Sequence, residues 1–175
     1  MDAGEFIATI RGTQYYEVGG KTIVENVDLS STDCSKLSQI NKPITFKGKV
    51  ILPKASNGLV LSSMTFHGDV VAPLEMEAGS SIEFRHCKFL GDVQFSQMHV
   101  QELLIHQSAL RQGVTLGNYI RGLTIRHSEI KYTIWCEDNI DVAIVCHLAG
   151  HGVSLDIQGR DMILSRMLTP VLAVA

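Results

Sequence analysis

An all-β solenoid of parallel strands, with about 20 residues to each coil, is the fold this sequence predicts. The first observation is a repeated phrase, aromatic-x-Gly-x-Val, at Phe46-Lys-Gly-Lys-Val50, Phe66-His-Gly-Asp-Val70 and Phe89-Leu-Gly-Asp-Val93. The second is its beat. The leading residue continues as Leu110, Ile130 and Gly150, so the spacings from Phe46 are 20, 23, 21, 20 and 20, the fixed period of a repeat architecture. The third is a shorter period inside that one. Phe95, Val100, Ile105, Leu110, Thr115, Ile120, Ile125, Ile130, Trp135, Ile140 and Val145 fall at every fifth residue, and ten of these eleven are large and apolar. A helix wants apolar residues every 3.6 positions and an amphipathic strand every 2. A sustained five suits a chain that turns a corner every five residues and closes a square coil after twenty.

Residues 1–42 carry Tyr15, Tyr16 and a looser Val24, Val27, Leu29 pattern, which predicts an N-terminal cap or a degenerate first coil. Residues 43–165 predict the β-helix itself, with roughly six coils. Two residues before each central apolar position stands a second apolar or small one: Ile82 before Phe84, Cys87 before Phe89, Leu103 before Ile105, Ser108 before Leu110 and Ser128 before Ile130. Strand alternation turns both members of such a pair inward. The long interval between Phe66 and Phe89 predicts an insertion within 72–81. Arg160 falls where a core residue is due, so the phase slips after Leu155, and Met162 and Leu164 continue one more coil. Residues 166–175 include the apolar stretch Leu168-Thr-Pro-Val-Leu-Ala-Val-Ala175, which predicts either a cover for the final coil or a homodimer through the C-terminal end. A single coil buries too little to offset the ordering of its own backbone, so the coils must stack and the open ends must be covered.

The run Phe84-Arg-His-Cys-Lys-Phe89 and the pairs that follow it resemble the pentapeptide-repeat proteins, whose consensus sets a small residue two before a central Leu or Phe. The resemblance covers about Ile82 to Leu155. It implies a right-handed quadrilateral parallel β-helix. It also implies a non-enzymatic protein-binding scaffold or adaptor, because similar repeats occur in bacterial gyrase-interacting proteins and in bacterial effectors delivered to host cells.

Composition narrows the setting. A chain of 175 residues with 45% hydrophobic and 19% charged residues, 15 glycines and 4 prolines is a folding sequence of one domain. Its formal charge of −3 lacks the strong positive field of a nucleic-acid binder, so nucleic acid is not expected as a partner. No apolar run reaches the roughly 18–20 residues of a membrane helix, and Met-Asp-Ala-Gly-Glu has the wrong charge for a signal peptide. The expectation is a cytoplasmic protein, or one delivered to a host cell without a classical signal. Cys34, Cys87, Cys136 and Cys146 form no CxxC pair, which suggests neither a zinc knuckle nor a disulfide framework.

Four histidines keep the same beat: His86, His106, His127 and His147 are separated by 20, 21 and 20 residues. Counted from the central apolar residues, His127 and His147 should be rung neighbours, with Arg126 and Cys146 alongside. Rungs near 4.8 Å apart with no evident fourth ligand argue against a metal centre, and no metal or cofactor is expected. The residue after each leading position gives Lys47, His67, Leu90, Arg111, Lys131 and His151. With Arg85 and Arg126 this makes two adjoining faces basic, while Glu102, Glu137, Asp138, Asp141 and Asp156 fall mainly elsewhere. Arg85, Arg111, Arg126, Lys131, His127 and His147 are therefore the candidate binding residues, for another protein with an acidic surface. The sequence contains no GxSxG, HExxH, P-loop or GxGxxG. The alternative is a small β-helix polysaccharide-active enzyme, with Glu137, Asp138 and Asp141 near Arg121.

Overall fold

Every strand pair in the structure is parallel, and the strands stack rung on rung into a β-solenoid. The computed structural model describes residues 1–54, 58–73, 80–96, 99–116, 119–131, 134–136, 140–146, 155–156 and 159–165. The first sheet has six strands, Thr22–Ile23, Ile44–Phe46, Met64–Phe66, Lys88–Phe89, Ala109–Leu110 and Glu129–Ile130. The second has seven, from Val27–Asp28 to Leu155–Asp156. The third has six, from Leu59–Ser62 through Ser81–Arg85, His99–His106, Tyr119–Arg126 and Ile140–Cys146 to Gly159–Ser165.

The long third-sheet strand His99–His106 bends through a corner. Val100 is buried, Gln101 and Glu102 are both exposed, and Leu103 and Ile105 are buried again. Strict alternation would not place two exposed residues side by side, so the chain turns there. A coil thus has four inward-facing sides. Leu103 and Leu123 fill positions where the pentapeptide consensus sets a small residue, and both are fully buried.

The period of five slips on one side. Phe95 pairs with Leu116 and Leu116 with Cys136, whereas Thr115 pairs with Gln94 and Trp135. Thr115 is half-buried between the buried Val114 and Leu116. The core expectation for Thr115 is therefore wrong, and Trp135 shares its register rather than that of Leu116. The turn into the second sheet takes six positions, from Leu110 to Leu116, and the next side four, from Leu116 to Ile120, where the period sets five and five. The extra residues between Phe66 and Phe89 fall where the spacing puts them. Val70 and Ile82 are 12 positions apart, against 9 for Val50 and Leu59 of the preceding rung.

At the N-terminal end a helix, Ala3–Arg11, lies across the first rung. Its start is fixed by the Asp2 side chain, which accepts from the Glu5 amide at 2.7 Å. The helix buries Phe6 and Ile10, and Phe6 meets Phe46 edge-on at 5.4 Å. Its last carbonyls are met by Lys36, whose Nζ donates to Arg11 at 3.2 Å and Gly12 at 2.9 Å. A short 3-10 helix, Ser35–Gln39, buries Leu37 and packs beside Leu59–Ser62, where later rungs have a third-sheet strand. Residues 166–175, with the expected cover or dimer contact, lie outside the described residues.

Candidate binding face

The corner joining the third sheet to the first is made by one residue per rung in the left-handed conformation: Ser63, His86, Gln107 and His127, with φ of 57°, 53°, 49° and 51°. The amides of Ser63, His86 and Gln107 donate across the rungs to the carbonyls of Arg85, His106 and Arg126 at 2.9–3.0 Å. Polar residues such as His tolerate this region better than branched ones. The beat of His86 and His127 is therefore the beat of a corner. His106 falls one column earlier, paired with Arg85 on one side and Arg126 on the other. Its ring centroid is 5.5 Å from that of His127.

Inside the corner stand the small residues of the repeat. Ser108 Oγ donates to the His106 carbonyl and Ser128 Oγ to the Arg126 carbonyl, both at 2.9 Å. Each hydroxyl also accepts an amide from the preceding rung, from Cys87 at 3.1 Å and Ser108 at 3.3 Å. These buried hydroxyls have donors and acceptors in place, as burial requires. On the opposite side of the coil, Asn26, Asp69 and Asp92 accept amides from Lys49, Asp92 and Gly113 at 2.8, 3.0 and 3.2 Å. The carboxylates of Asp69 and Asp92 are thereby structural, holding one turn on the next.

Cys87 occupies the same inner column as Ser108. It is buried with Sγ 3.3 Å from the Leu61 carbonyl, and burial pushes its thiol up to about 12. Burial, reinforced by the nearby Asp33 charge, does the same for Cys34. Thiolate is the reactive form, so iodoacetamide at pH 8 should leave both unmodified in the native chain and label both in urea. Labelling of native Cys87 at the unfolded rate, read by mass spectrometry, would contradict the burial. A raised folded value also sets a sign. The stability these thiols confer is complete below the unfolded value of about 8.5 and declines as pH rises toward 12.

The expected basic columns divide unequally. Arg85 is held by Glu83 of its own strand through two contacts, the second from Nη2 to Oε2 at 2.7 Å. Arg111 pairs with Glu129 of the next rung, Nη1 to Oε1 at 2.7 Å. Glu83 and Glu129 stand among the basic residues, so charge is less completely sorted than the spacing implies. Lys47 and His67 are also neighbours, with Lys47 Nζ 3.1 Å from His67 Nε2. Arg126 is exposed, and no carboxylate meets its guanidinium among the described residues. His127 and Lys131, one and five positions further along the same coil, are exposed as well. His147 lies outside the described residues, as do Glu137 and Asp138.

Beside Arg126 the outer surface of the third sheet is indented. A groove of about 210 Å³ is lined by Glu83, Leu104, Ile105, His106, Thr124 and Arg126. Leu104 and Thr124 leave no mark on the inward spacing. Their signal is the outward pairs 83/85, 104/106 and 124/126, aligned rung to rung.

Among the described residues, no group of three or more His, Cys, Asp or Glu side chains could hold a metal ion. Nor does any helix among them have the length and apolarity to cross a membrane. Compared with family models, curated proteins and solved structures, the chain finds no match.

Proposed function

We propose that this chain is a non-enzymatic protein-binding scaffold or adaptor that docks an acidic partner surface. The carrying observation is the exposed guanidinium of Arg126, which has no carboxylate partner among the described residues and stands beside the exposed His127 and Lys131. Rung stacking fixes the spacing of such charges, so they meet a partner with little loss of backbone freedom. Arg85 and Arg111 extend the positive surface even while paired, because an exposed ion pair is worth only about 0–1 kcal/mol and is readily exchanged. The resemblance to pentapeptide-repeat proteins supports the same reading by fold analogy.

The test is an affinity pull-down from cell extract with the unaltered chain beside the triple variant Arg111→Glu, Arg126→Glu, Lys131→Glu. The expected result is a partner retained by the first and lost by the second, with identical circular dichroism. Equal capture in both lanes, or none in either, would overturn the proposal.

A further inference from the structure

The docking surface has an internal asymmetry that narrows what its partner must offer. Strand alternation sends residues 83 and 85, 104 and 106, and 124 and 126 to the outside of the third sheet, in register from rung to rung. On the first of these rungs Glu83 and Arg85 satisfy each other. On the next two, the column that holds Glu83 continues as Leu104 and Thr124, and the column that holds Arg85 continues as His106 and Arg126. The groove between these columns therefore has Leu104 and Thr124 on one side, with Glu83 at the end of that column, and His106 and Arg126 on the other, above the inward-facing Ile105. At about 210 Å³ it is smaller than the roughly 300–1,000 Å³ of a cofactor or drug-sized site. One or two side chains of a partner would fill it.

The groove lining carries one acid, Glu83, and one permanent cation, Arg126. Its sole acidic lining residue, Glu83, is engaged by Arg85, and Arg126 faces the opening without a carboxylate among the described residues. A guanidinium offers a planar fork of donors that matches a carboxylate in two parallel hydrogen bonds. Leu104 and His106 are two positions apart on one strand, as are Thr124 and Arg126. An extended chain repeats its side-chain direction over that same interval, roughly 6.5–7 Å.

Resting on the protein-binding reading, we infer that this groove receives an extended acidic segment of the partner in which an aliphatic residue stands two positions from a carboxylate. The carboxylate meets Arg126 beside His106, and the aliphatic side chain covers Leu104 and the Thr124 methyl. Arg111 and Lys131 lie beyond the next corner and steer the approach without entering the groove.

The test is an amide-resolved NMR titration of the full chain with the blocked pentapeptide Ser-Leu-Ser-Glu-Ser, beside Ser-Leu-Ser-Gln-Ser and an oligothymidylate. Saturable shifts at Leu104, His106, Thr124 and Arg126 are expected from the first peptide. Arg126→Gln, or the glutamine peptide, should weaken binding at least tenfold. Leu104→Ser should weaken it severalfold, and Lys21→Gln, at the N-terminal end of the stack, should leave it within twofold. Absent shifts, or binding indifferent to Arg126→Gln, would overturn the inference. So would tighter binding of the oligothymidylate at the same amides, which would assign the groove to phosphate. A captured partner that is lost with the triple variant but kept by Arg126→Gln alone would remove the groove and leave the protein-binding function standing.

Discussion

Phe66→Ala should destabilise the chain by about 3–5 kcal/mol, a large share of the roughly 5–15 kcal/mol that holds an ordinary domain together. Phe66 is almost wholly buried, and its ring lies in a spine that runs along the solenoid axis. It stacks on Phe46 at 5.3 Å with the planes 6° apart, and on Phe89 at 5.1 Å and 15°. Phe84 meets it edge-on at 6.5 Å. Truncation therefore opens a void with an aromatic ring on three sides, and the ladder hydrogen bonds of rungs 44–46 and 88–89 hold those rings apart. Because a solenoid is stabilised between neighbours, the loss weakens two interfaces at once. Urea unfolding should show the change in midpoint, and the melting temperature should fall by roughly 6–20 °C for a chain of this size. Phe66→Leu should lose less than half as much, since Leu110 and Ile130 occupy the same column two and three rungs away. A cost below about 1.5 kcal/mol for the alanine variant would mean that the rungs close over the void, contrary to the rigid stack described.

The spine shows why so much of this fold was legible. Large inward side chains recur because each rung must fill the same cross-section, so Phe46, Phe66, Phe89, Leu110 and Ile130 write the coil length directly into the sequence. What stayed hidden has two physical origins. Turns differ by a residue from side to side, so a constant period of five put Thr115 in the core when Leu116 belongs there. The N-terminal helix was legible in kind, since Asp2 and Glu5 supply a start signal and Phe6 and Ile10 share a face. The helix lies outside the repeat, so the period of the solenoid carries no sign of it. The candidate face was legible as columns but not as pairings, because an acid two positions back or on the next rung decides whether an arginine is free. Glu83 and Glu129 make that decision for Arg85 and Arg111. His86 and His127 illustrate the opposite error, a chemical residue type recurring for a backbone reason.

The other large effect is expected where the repeated phrase has its glycine. At Gly48, Gly68 and Gly91 the turn from the first sheet to the second stacks so closely that no side chain fits between rungs. A Cβ on Gly68 would lie 2.5 Å from both the carbonyl carbon and oxygen of Gly48, and one on Gly91 would lie 2.5 Å from the carbonyl carbon of Gly68. The obstacle is backbone, which cannot rotate away as a side chain could. Gly68→Ala should therefore cost about 3 kcal/mol or more, at the upper end of what overpacking does, because relief requires the turns at 48 and 68 to separate. Such separation strains the amides of Val50 and His67, which donate to the Asp69 and Phe46 carbonyls, both at 2.8 Å. Gly113→Ala is the matched control. It stands one rung beyond Gly91, and its Cβ would meet nothing closer than the Asp92 carboxylate at 3.5 Å, an ordinary contact. Restricting the unfolded chain should leave that variant neutral or more stable by up to about 1 kcal/mol. Thermal unfolding of the two variants side by side separates steric exclusion from a general cost of alanine in turns. Equal melting temperatures would show that the rungs can spread at this turn, and the glycine of the phrase would then need another explanation. A loss confined to Gly68→Ala would establish close approach of backbone as the reason that glycine recurs at 48, 68 and 91.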